Sequence, residues 1–160
     1  MSADSSSPPA PRITIENRQE RVPLEQAELD RWRDLGERAL ARIDAAGWAK
    51  VASPERVGVV VVDDAAIADL HGRFLDDPTP TDVLTFPLGA ESEIVLSIET
   101  AERQAGEFGN SAAREACLYI VHGLLHLCGY EDGSEEGRAE MAERQERLLR
   151  EAEQAGPAAP

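Results

Sequence analysis

Residues 111–132, SAAREACLYIVHGLLHLCGYED, contain the segment on which the predicted fold depends. Ser111 is a residue type that commonly caps the start of a helix, and Gly129 is the type that commonly follows a helix end. Between them, the chain would be apolar on nearly every face of a helix. A helix without a polar face must be covered by other elements, so we expect a central, buried helix.

Two histidines lie within this helix, and a carboxylate follows its end. Residues at i and i+4 are one turn apart on the same helix face, so His122 and His126 can bind one ion. Gly129 allows the chain to fold back over the helix end, which brings Asp132 to the position of a third ligand. Two imidazoles and one carboxylate leave a coordination position open for water, as in catalytic zinc and non-haem iron sites. The sequence therefore predicts a metal site of His122, His126 and Asp132.

A structural role for the histidines is the alternative. A single histidine on an apolar helix is more often a hydrogen-bonded core residue than a metal ligand. Two histidines at ligand spacing, followed by a glycine and a carboxylate, favour the metal. Cys128 is a poor fourth ligand, because its offset of two residues from His126 turns its side chain to a different face of the helix.

The rest of the chain contains short apolar segments and longer segments with helical periodicity. We predict strands over residues 13–17, 57–62, 83–86 and 94–97. We predict the other helices over residues 25–46, 65–75, 100–106 and 135–152, with Phe74 facing inward from the second of these. Pro78 and Pro80 indicate a loop. Short strands followed by a helical C-terminal half predict an α+β domain, in which about five helices cover a small sheet of about four strands.

The length of 160 residues fits one domain. Residues 1–11 are rich in serine and proline, and residues 154–160 are small and contain proline. We expect both ends to be disordered tails. The predicted single domain covers residues 12–153.

Acidic residues outnumber basic residues 31 to 16, which gives a formal net charge of −15. This charge disfavours general binding to nucleic acid or to an anionic membrane, so a polyanion must be met at a local patch. No apolar run approaches the ~20 residues that span a bilayer, and the N-terminus lacks the pattern of a secretion signal. We therefore expect a cytoplasmic protein with reduced cysteines.

The spacing of residues 122–132 also matches zinc peptidases of the metzincin type. In the HExxH motif of those enzymes, the glutamate after the first histidine acts as the general base. Gly123 occupies that position here and has no side chain that could accept a proton. The spacing therefore supports the metal site, while the missing base argues against a peptidase.

Four segments carry a resemblance to a known family. HGLLHLCGYED, residues 122–132, is similar to the HGxLHLxGYDH signature of the YbeY family of bacterial endoribonucleases, also called ribosomal RNA maturation factors. PTDVLTFP, residues 80–87, is close to the family's PTDVLSFP. VVVVDDAAIADL, residues 59–70, and ESEIVLSIETA, residues 91–101, resemble the family segments at these places. The resemblance covers residues 57–130, nearly half of the chain.

The resemblance implies a metal-dependent endoribonuclease that is specific for single-stranded RNA and acts in ribosomal RNA maturation. Small-subunit rRNA processing and ribosome quality control are the implied settings. The implied cofactor is one divalent ion, zinc, and the implied partners are RNA and small-subunit ribosomal particles, with neither DNA nor a membrane expected. The alternatives are a non-catalytic ribosome-assembly factor with a residual metal site and, less favoured, a metallopeptidase.

Asp132 departs from the family, in which a histidine occupies the third ligand position. A carboxylate ligand cancels one more positive charge of the ion, which makes the ion a weaker Lewis acid. Arg73 lies where the resemblance places an arginine, and we predict that it is catalytic, because its planar guanidinium can clamp a phosphate. The alternative for Arg73 is a surface ion pair with Asp76, Asp77 or Asp82.

Several neighbouring polar residues have weaker assignments. His71 stands where the family usually has an asparagine, and we expect it to be structural or exposed rather than a ligand. Glu131 matches an acidic position of the family and is either a base near the metal or an exposed turn residue. The threonines of the loop segment either line the cleft or cap turns, namely Thr79, Thr81 and Thr85.

Overall fold

The computed structural model describes residues 10–77, 79 and 81–154. Within these residues, four strands and five helices follow in the order β1 (Ile13–Asn17), α1 (Gln26–Ala46), β2 (Arg56–Val62), α2 (Asp64–Leu75), β3 (Val83–Phe86), β4 (Glu91–Ser97), α3 (Ile98–Phe108), α4 (Ala112–Leu127) and α5 (Glu135–Gln154). The α+β class predicted from the sequence is confirmed, with its small sheet and its five helices. β4 and α3 are longer than predicted, and the other elements lie close to their predicted bounds.

The four strands form one mixed sheet in the order β1-β2-β4-β3. β1, β2 and β4 run parallel to one another, whereas β3 runs antiparallel to β4 and lies at one edge. The antiparallel pairing places Val83 opposite Leu96 and Phe86 opposite Glu93. In this arrangement β3 forms one edge of the sheet, and the candidate site lies beside that edge.

One face of the sheet carries the main hydrophobic core. Alternate residues of β2 and β4 belong to it, namely Val57, Val59, Val61, Ile94 and Leu96, because side chains of a strand alternate between the two faces. α4 packs against this core with Ile120, Leu124 and Leu125, which are fully buried. Contacts with α1, α3 and α5 cover the rest of α4. The apolar surface of α4 on nearly all sides is thus explained by its burial.

Gly123 is the point of close approach between α4 and the sheet. A Cβ atom at this position would lie 2.8 Å from Ile94 Cδ1 and 3.0 Å from Ile94 Cγ1 and Cγ2. Ile94 is itself fully buried, so it has little room to move. Glycine at position 123 therefore allows a backbone approach that any side chain would prevent, and a glutamate does not fit there.

We expect Gly123→Ala to destabilise the fold. Overpacking costs about 1–3 kcal/mol, and the better helix propensity of alanine offsets about 1 kcal/mol of it, which leaves a net loss of up to about 2 kcal/mol. Urea unfolding followed by circular dichroism measures this change. Gly106→Ala in α3 is the matched control, because a Cβ atom there would extend into open space, and this variant should gain stability. Equal gains in both variants would contradict the close-packing argument.

α2 packs on the second face of the sheet, which has a smaller core. Ile67 is fully buried there and packs with Val60, Val62, Leu84 and Val95. The prediction that Phe74 faces inward from α2 is wrong, since Phe74 is 59% exposed. The small core ends near Leu70, and one turn later Phe74 contacts the edge of the sheet through Phe86.

The predicted tails fall largely outside the described residues. This holds for residues 1–9 and 155–160, and also for Pro78 and Pro80 of the predicted loop. α5 continues to Gln154, two residues beyond its predicted end. Among the described residues, no helix has both the length and the apolar character needed to cross a membrane.

Candidate metal centre

The C-terminal end of α4 and the turn after it build the candidate site. Ser111 caps the start of α4 by accepting a hydrogen bond from Arg114 N, as predicted. At the other end, Gly129 adopts a φ of 99°, and Tyr130 N donates to Leu125 O at 3.0 Å. A residue with a side chain is strained at such a φ. The turn at Gly129 therefore reverses the chain directly after the two histidines.

This turn brings Asp132 to the two histidines. Asp132 Oδ2 lies 3.6 Å from His122 Nε2 and 3.7 Å from His126 Nε2. One ligand atom from each of the three residues lies within 4.8 Å of the others. Ligands held about 2.1 Å from a tetrahedral ion are roughly 3.4 Å apart, so the observed separations fit a shared ion. The three residues form a group that can hold a metal ion.

The imidazoles are oriented by hydrogen bonds at their other nitrogen. His126 Nδ1 donates to Tyr130 O at 2.9 Å, and His122 Nδ1 donates to Gln145 Oε1 at 2.5 Å. These acceptors keep the proton on Nδ1, so the lone pair of each Nε2 faces Asp132. The rings meet edge to face with centroids 4.6 Å apart. Both histidines are about three-quarters buried, whereas Asp132 is exposed.

Gln145 of α5 is a site residue that the sequence reasoning missed. It is 23 residues away from His122 in the chain. One local signal could have found it, since Gln145 lies one turn after the buried Met141, on the inward face of a helix whose surface is otherwise charged. A neutral amide on an inward face is a natural acceptor for a buried donor.

We expect Gln145→Leu to weaken metal binding by about 10–100-fold, the usual cost of losing a partner that orients a ligand. Competition with a chromophoric chelator measures the affinity. Gln145→Glu is the matched control, because it keeps an acceptor oxygen at this position and should retain tight binding. Equal affinities of wild type and Gln145→Leu would show that the amide does not orient His122.

A cleft of about 510 Å³ opens beside the three residues. Its wall is formed by the end of α2, by β3 and by the end of α4, with the lining residues Phe74, Leu75, Asp82, Val83, Leu84, Thr85, Phe86, His122, His126 and Asp132. Half of the ten lining residues are apolar, and the other half are Thr85, the two carboxylates and the two imidazoles. A substrate bound here would lie against β3 with one end at the candidate metal centre.

The structure does not bring Arg73 into this cleft lining. Its guanidinium is 3.2 Å from Asp69 Oδ2, one turn earlier in α2, and 5.9 Å from the ring centroid of Phe74. The ion pair considered for Arg73 is therefore present with a different aspartate from those considered. The phosphate role of Arg73 stays a prediction.

The other polar residues named from the sequence lie around the cleft or in the loop before β3. His71 Nδ1 donates to Thr79 O at 2.9 Å, which fits the expected structural role. Thr79 donates to Asp77 Oδ1 through both its N–H and its hydroxyl, and these bonds lower the pKa of the Asp77 carboxyl. Thr85 lines the cleft, whereas Glu131 is exposed outside it.

Cys128 is fully buried in the main core. Burial raises the pKa of its thiol to about 11, so it is protonated near neutral pH. Since a metal binds the thiolate, Cys128 is unsuited to be a fourth ligand. Both cysteines are free thiols.

Comparison with known proteins adds an independent line of evidence. The model of the family described as Endoribonuclease YbeY matches residues 14–153, which include every strand and helix of the fold except the first residue of β1 and the last residue of α5. The chain belongs to the YbeY family. The resemblance identified from four short segments is confirmed over almost the whole domain.

Individual members of the YbeY family are similar over most of their length. Endoribonuclease YbeY of Moorella thermoacetica is 38% identical over 136 residues, covering 72% of this chain and 87% of that protein. Endoribonuclease YbeY of a Synechococcus species is 38% identical over 137 residues, covering 75% and 83%. The solution structure of a Thermotoga maritima protein is 27% identical, with a TM-score of 0.60 over 87% of this chain and 89% of that one.

Proposed function

We propose that this protein is a metal-dependent endoribonuclease that cuts single-stranded RNA in the maturation of small-subunit ribosomal RNA. The observation that carries the proposal is the convergence of His122, His126 and Asp132 in a chain of the YbeY family. The donor set of two imidazoles and one carboxylate suits zinc, which we propose as the ion, and leaves a position for water.

A zinc ion held by His122, His126 and Asp132 would supply a Lewis acid for the phosphodiester and would lower the pKa of a water molecule at the open position. Residues of the chain fix the orientation of the ligands. Gln145 and the carbonyl of Tyr130 fix the tautomers of His122 and His126. Asp132 contributes the negative charge that balances the ion in a half-buried setting.

The charge of the chain bears on how RNA is bound. With a formal net charge of −15, binding of free RNA should be weak and should fall with salt, by a slope of about −0.7 for each phosphate contact to a single strand. We therefore propose that a small-subunit ribosomal particle in the cytoplasm supplies part of the affinity. Affinity for RNA alone and for RNA within such particles can be compared directly by titration.

Two other functions are tested by the cleavage experiment described below. A non-catalytic assembly factor is favoured by the change from histidine to Asp132 and by the acidic charge. A metallopeptidase is disfavoured, because Gly123 lacks the base and its backbone packs against Ile94.

The test is cleavage of a single-stranded oligoribonucleotide by the purified full chain, with the same sequence as a duplex for comparison. We expect cutting of the single strand, loss of cutting with a chelator, and recovery with zinc. Elemental analysis of the protein should find about one ion per chain. Equal cutting in excess chelator would contradict the metal-dependent proposal, and cutting of casein but not RNA would favour a peptidase.

Arg73 is tested separately. If it clamps a substrate phosphate, Arg73→Lys should already impair cleavage, since a point charge replaces a bidentate fork. Arg103→Lys is the matched control, because Arg103 pairs with Asp64 away from the cleft lining. Wild-type cleavage by Arg73→Lys would leave Arg73 as the surface partner of Asp69.

A further inference from the structure

Two phenylalanines lie in the same cleft as the candidate metal centre. Phe74, from the last turn of α2, and Phe86, the last residue of β3, both line the cavity that contains His122, His126 and Asp132. Their ring centroids are 5.5 Å apart with an interplanar angle of 72°. This edge-to-face contact is a favoured geometry for aromatic pairs, and it fixes the orientation of Phe74 although its ring is mostly in solvent.

The exposure of this part of the cleft needs an explanation. Phe74 is 59% exposed, and the adjacent Leu75, which also lines the cleft, is 61% exposed. Single apolar side chains on a surface are ordinary, but Phe74 and Leu75 are adjacent and both line the cleft, so a ligand bound there would cover them. Because Phe74 is largely in solvent, burial in the core does not explain a large ring at this position.

The charge of the cleft indicates which part of an RNA chain it contacts. Among the described residues, the lining contains the carboxylates of Asp82 and Asp132 and neither lysine nor arginine. A divalent ion would offset the two carboxylates and leave the lining with little net charge for a phosphate backbone, and Arg73 lies outside the lining, with its guanidinium 5.9 Å from the Phe74 ring centroid. Within the lining, the apolar wall of Phe74, Leu75 and Phe86 therefore suits the apolar parts of RNA, which are the faces of its bases.

We propose that Phe74 and Phe86 form a stacking platform for a nucleobase of the single-stranded RNA that enters the metal cleft. This inference rests on the proposed function and adds a base-binding subsite to it. Every base has a π-face, so stacking tolerates any sequence. A base in a duplex has its faces covered by its neighbours, so the platform favours single strands over duplexes. The cleft volume of about 510 Å³ is within the range of small-ligand sites.

Fluorescence of a 2-aminopurine base tests the platform without any cleavage. The probe is a short single-stranded oligoribonucleotide with one 2-aminopurine, and the protein is the full chain held in chelator so that the probe stays intact. We expect the wild type to quench the probe on binding, and the quenching at saturation should be independent of salt even though the affinity falls with salt. Phe74→Ala should bind about tenfold more weakly, since stacking on one aromatic ring contributes about that factor or more, and the quenching should be lost.

Two further variants distinguish the effect of the aromatic ring from the effect of apolar surface alone. Phe74→Trp should keep affinity and quenching, whereas Phe74→Leu, which is apolar but has no ring, should behave like Phe74→Ala. Phe108→Ala is the matched control, because Phe108 is also exposed, at 68%, and does not line the cleft. Phe74 is largely in solvent, so these variants should fold, and circular dichroism verifies that they do.

The outcomes distinguish this inference from the proposed function. If Phe74→Ala and Phe74→Leu bind and quench like the wild type, the platform is wrong, even when the wild type cuts RNA in a zinc-dependent way. If quenching depends on the ring but no RNA is ever cut, the platform stands and the endoribonuclease proposal fails. Absence of quenching by the wild type at saturating protein overturns the platform.

Discussion

His122→Ala should lose stoichiometric metal and, with it, RNA cleavage. A direct ligand contributes more than a residue that only orients one, so we expect metal affinity to fall by more than about 100-fold, the upper end for an orienting partner. The change removes the imidazole that lies 3.6 Å from Asp132 Oδ2 and leaves two ligands, which is half of a tetrahedral set. Elemental analysis after dialysis, together with the single-strand cleavage assay, measures both effects.

The chain offers a matched control in its third histidine. His71 donates to the carbonyl of Thr79 and is not among the residues that converge on the candidate site. His71→Ala should therefore retain one ion per chain, whatever it does to the loop. Stoichiometric zinc in His122→Ala, or loss of zinc in both variants, would contradict the assignment of His122 as a ligand.

The candidate site could be predicted largely because its determinants are local in the chain. His122 and His126 share one helix face through the spacing of the helix itself. Gly129 has the positive φ that the sequence suggested, and Asp132 follows within three residues. A cluster held within eleven consecutive residues depends on helix geometry and one turn, both of which sequence patterns report well.

The residues that complete the site come from distant elements and could not be predicted in the same way. Gln145 reaches His122 from α5, so its role depends on how α5 crosses α4. The exposure of Phe74 depends on how far the second face of the sheet extends, since helical periodicity alone predicts an inward side chain. The order β1-β2-β4-β3 is likewise a long-range property, although the strands themselves are recognisable from β-branched runs.

Gly123 shows how structure changes the meaning of a sequence observation. From the sequence, it is only the absence of a catalytic glutamate. In the structure, α4 approaches Ile94 of β4 so closely at Gly123 that a Cβ atom would lie 2.8 Å from Ile94 Cδ1, so the fold itself excludes the peptidase base. Restoring a glutamate at this position would disrupt packing rather than create a peptidase.

Variants of Asp132 distinguish an active endoribonuclease from a family member that keeps only the metal site. Asp132→Ala should lose metal and cleavage, because its carboxylate lies within 3.7 Å of both histidine Nε2 atoms and closes the ligand set. Asp132→His should keep the metal and cut at least as fast as the wild type, because a neutral ligand leaves more positive charge on the ion. Metal content and cleavage of the same RNA are measured in parallel for wild type, Asp132→Ala, Asp132→Asn and Asp132→His.

The amide variant separates charge from shape in this series. Asp132→Asn keeps the size of the side chain but removes its negative charge. We therefore expect it to bind the metal more weakly than the wild type and more tightly than Asp132→Ala. Asp132 is exposed, so none of these changes should unfold the chain. If the wild type is inactive with RNA and with ribosomal particles while Asp132→His cuts, the assembly-factor function is correct for this chain. If the wild type cuts and Asp132→Ala does not, the carboxylate is a working ligand, and the two-histidine, one-carboxylate set supports RNA cleavage.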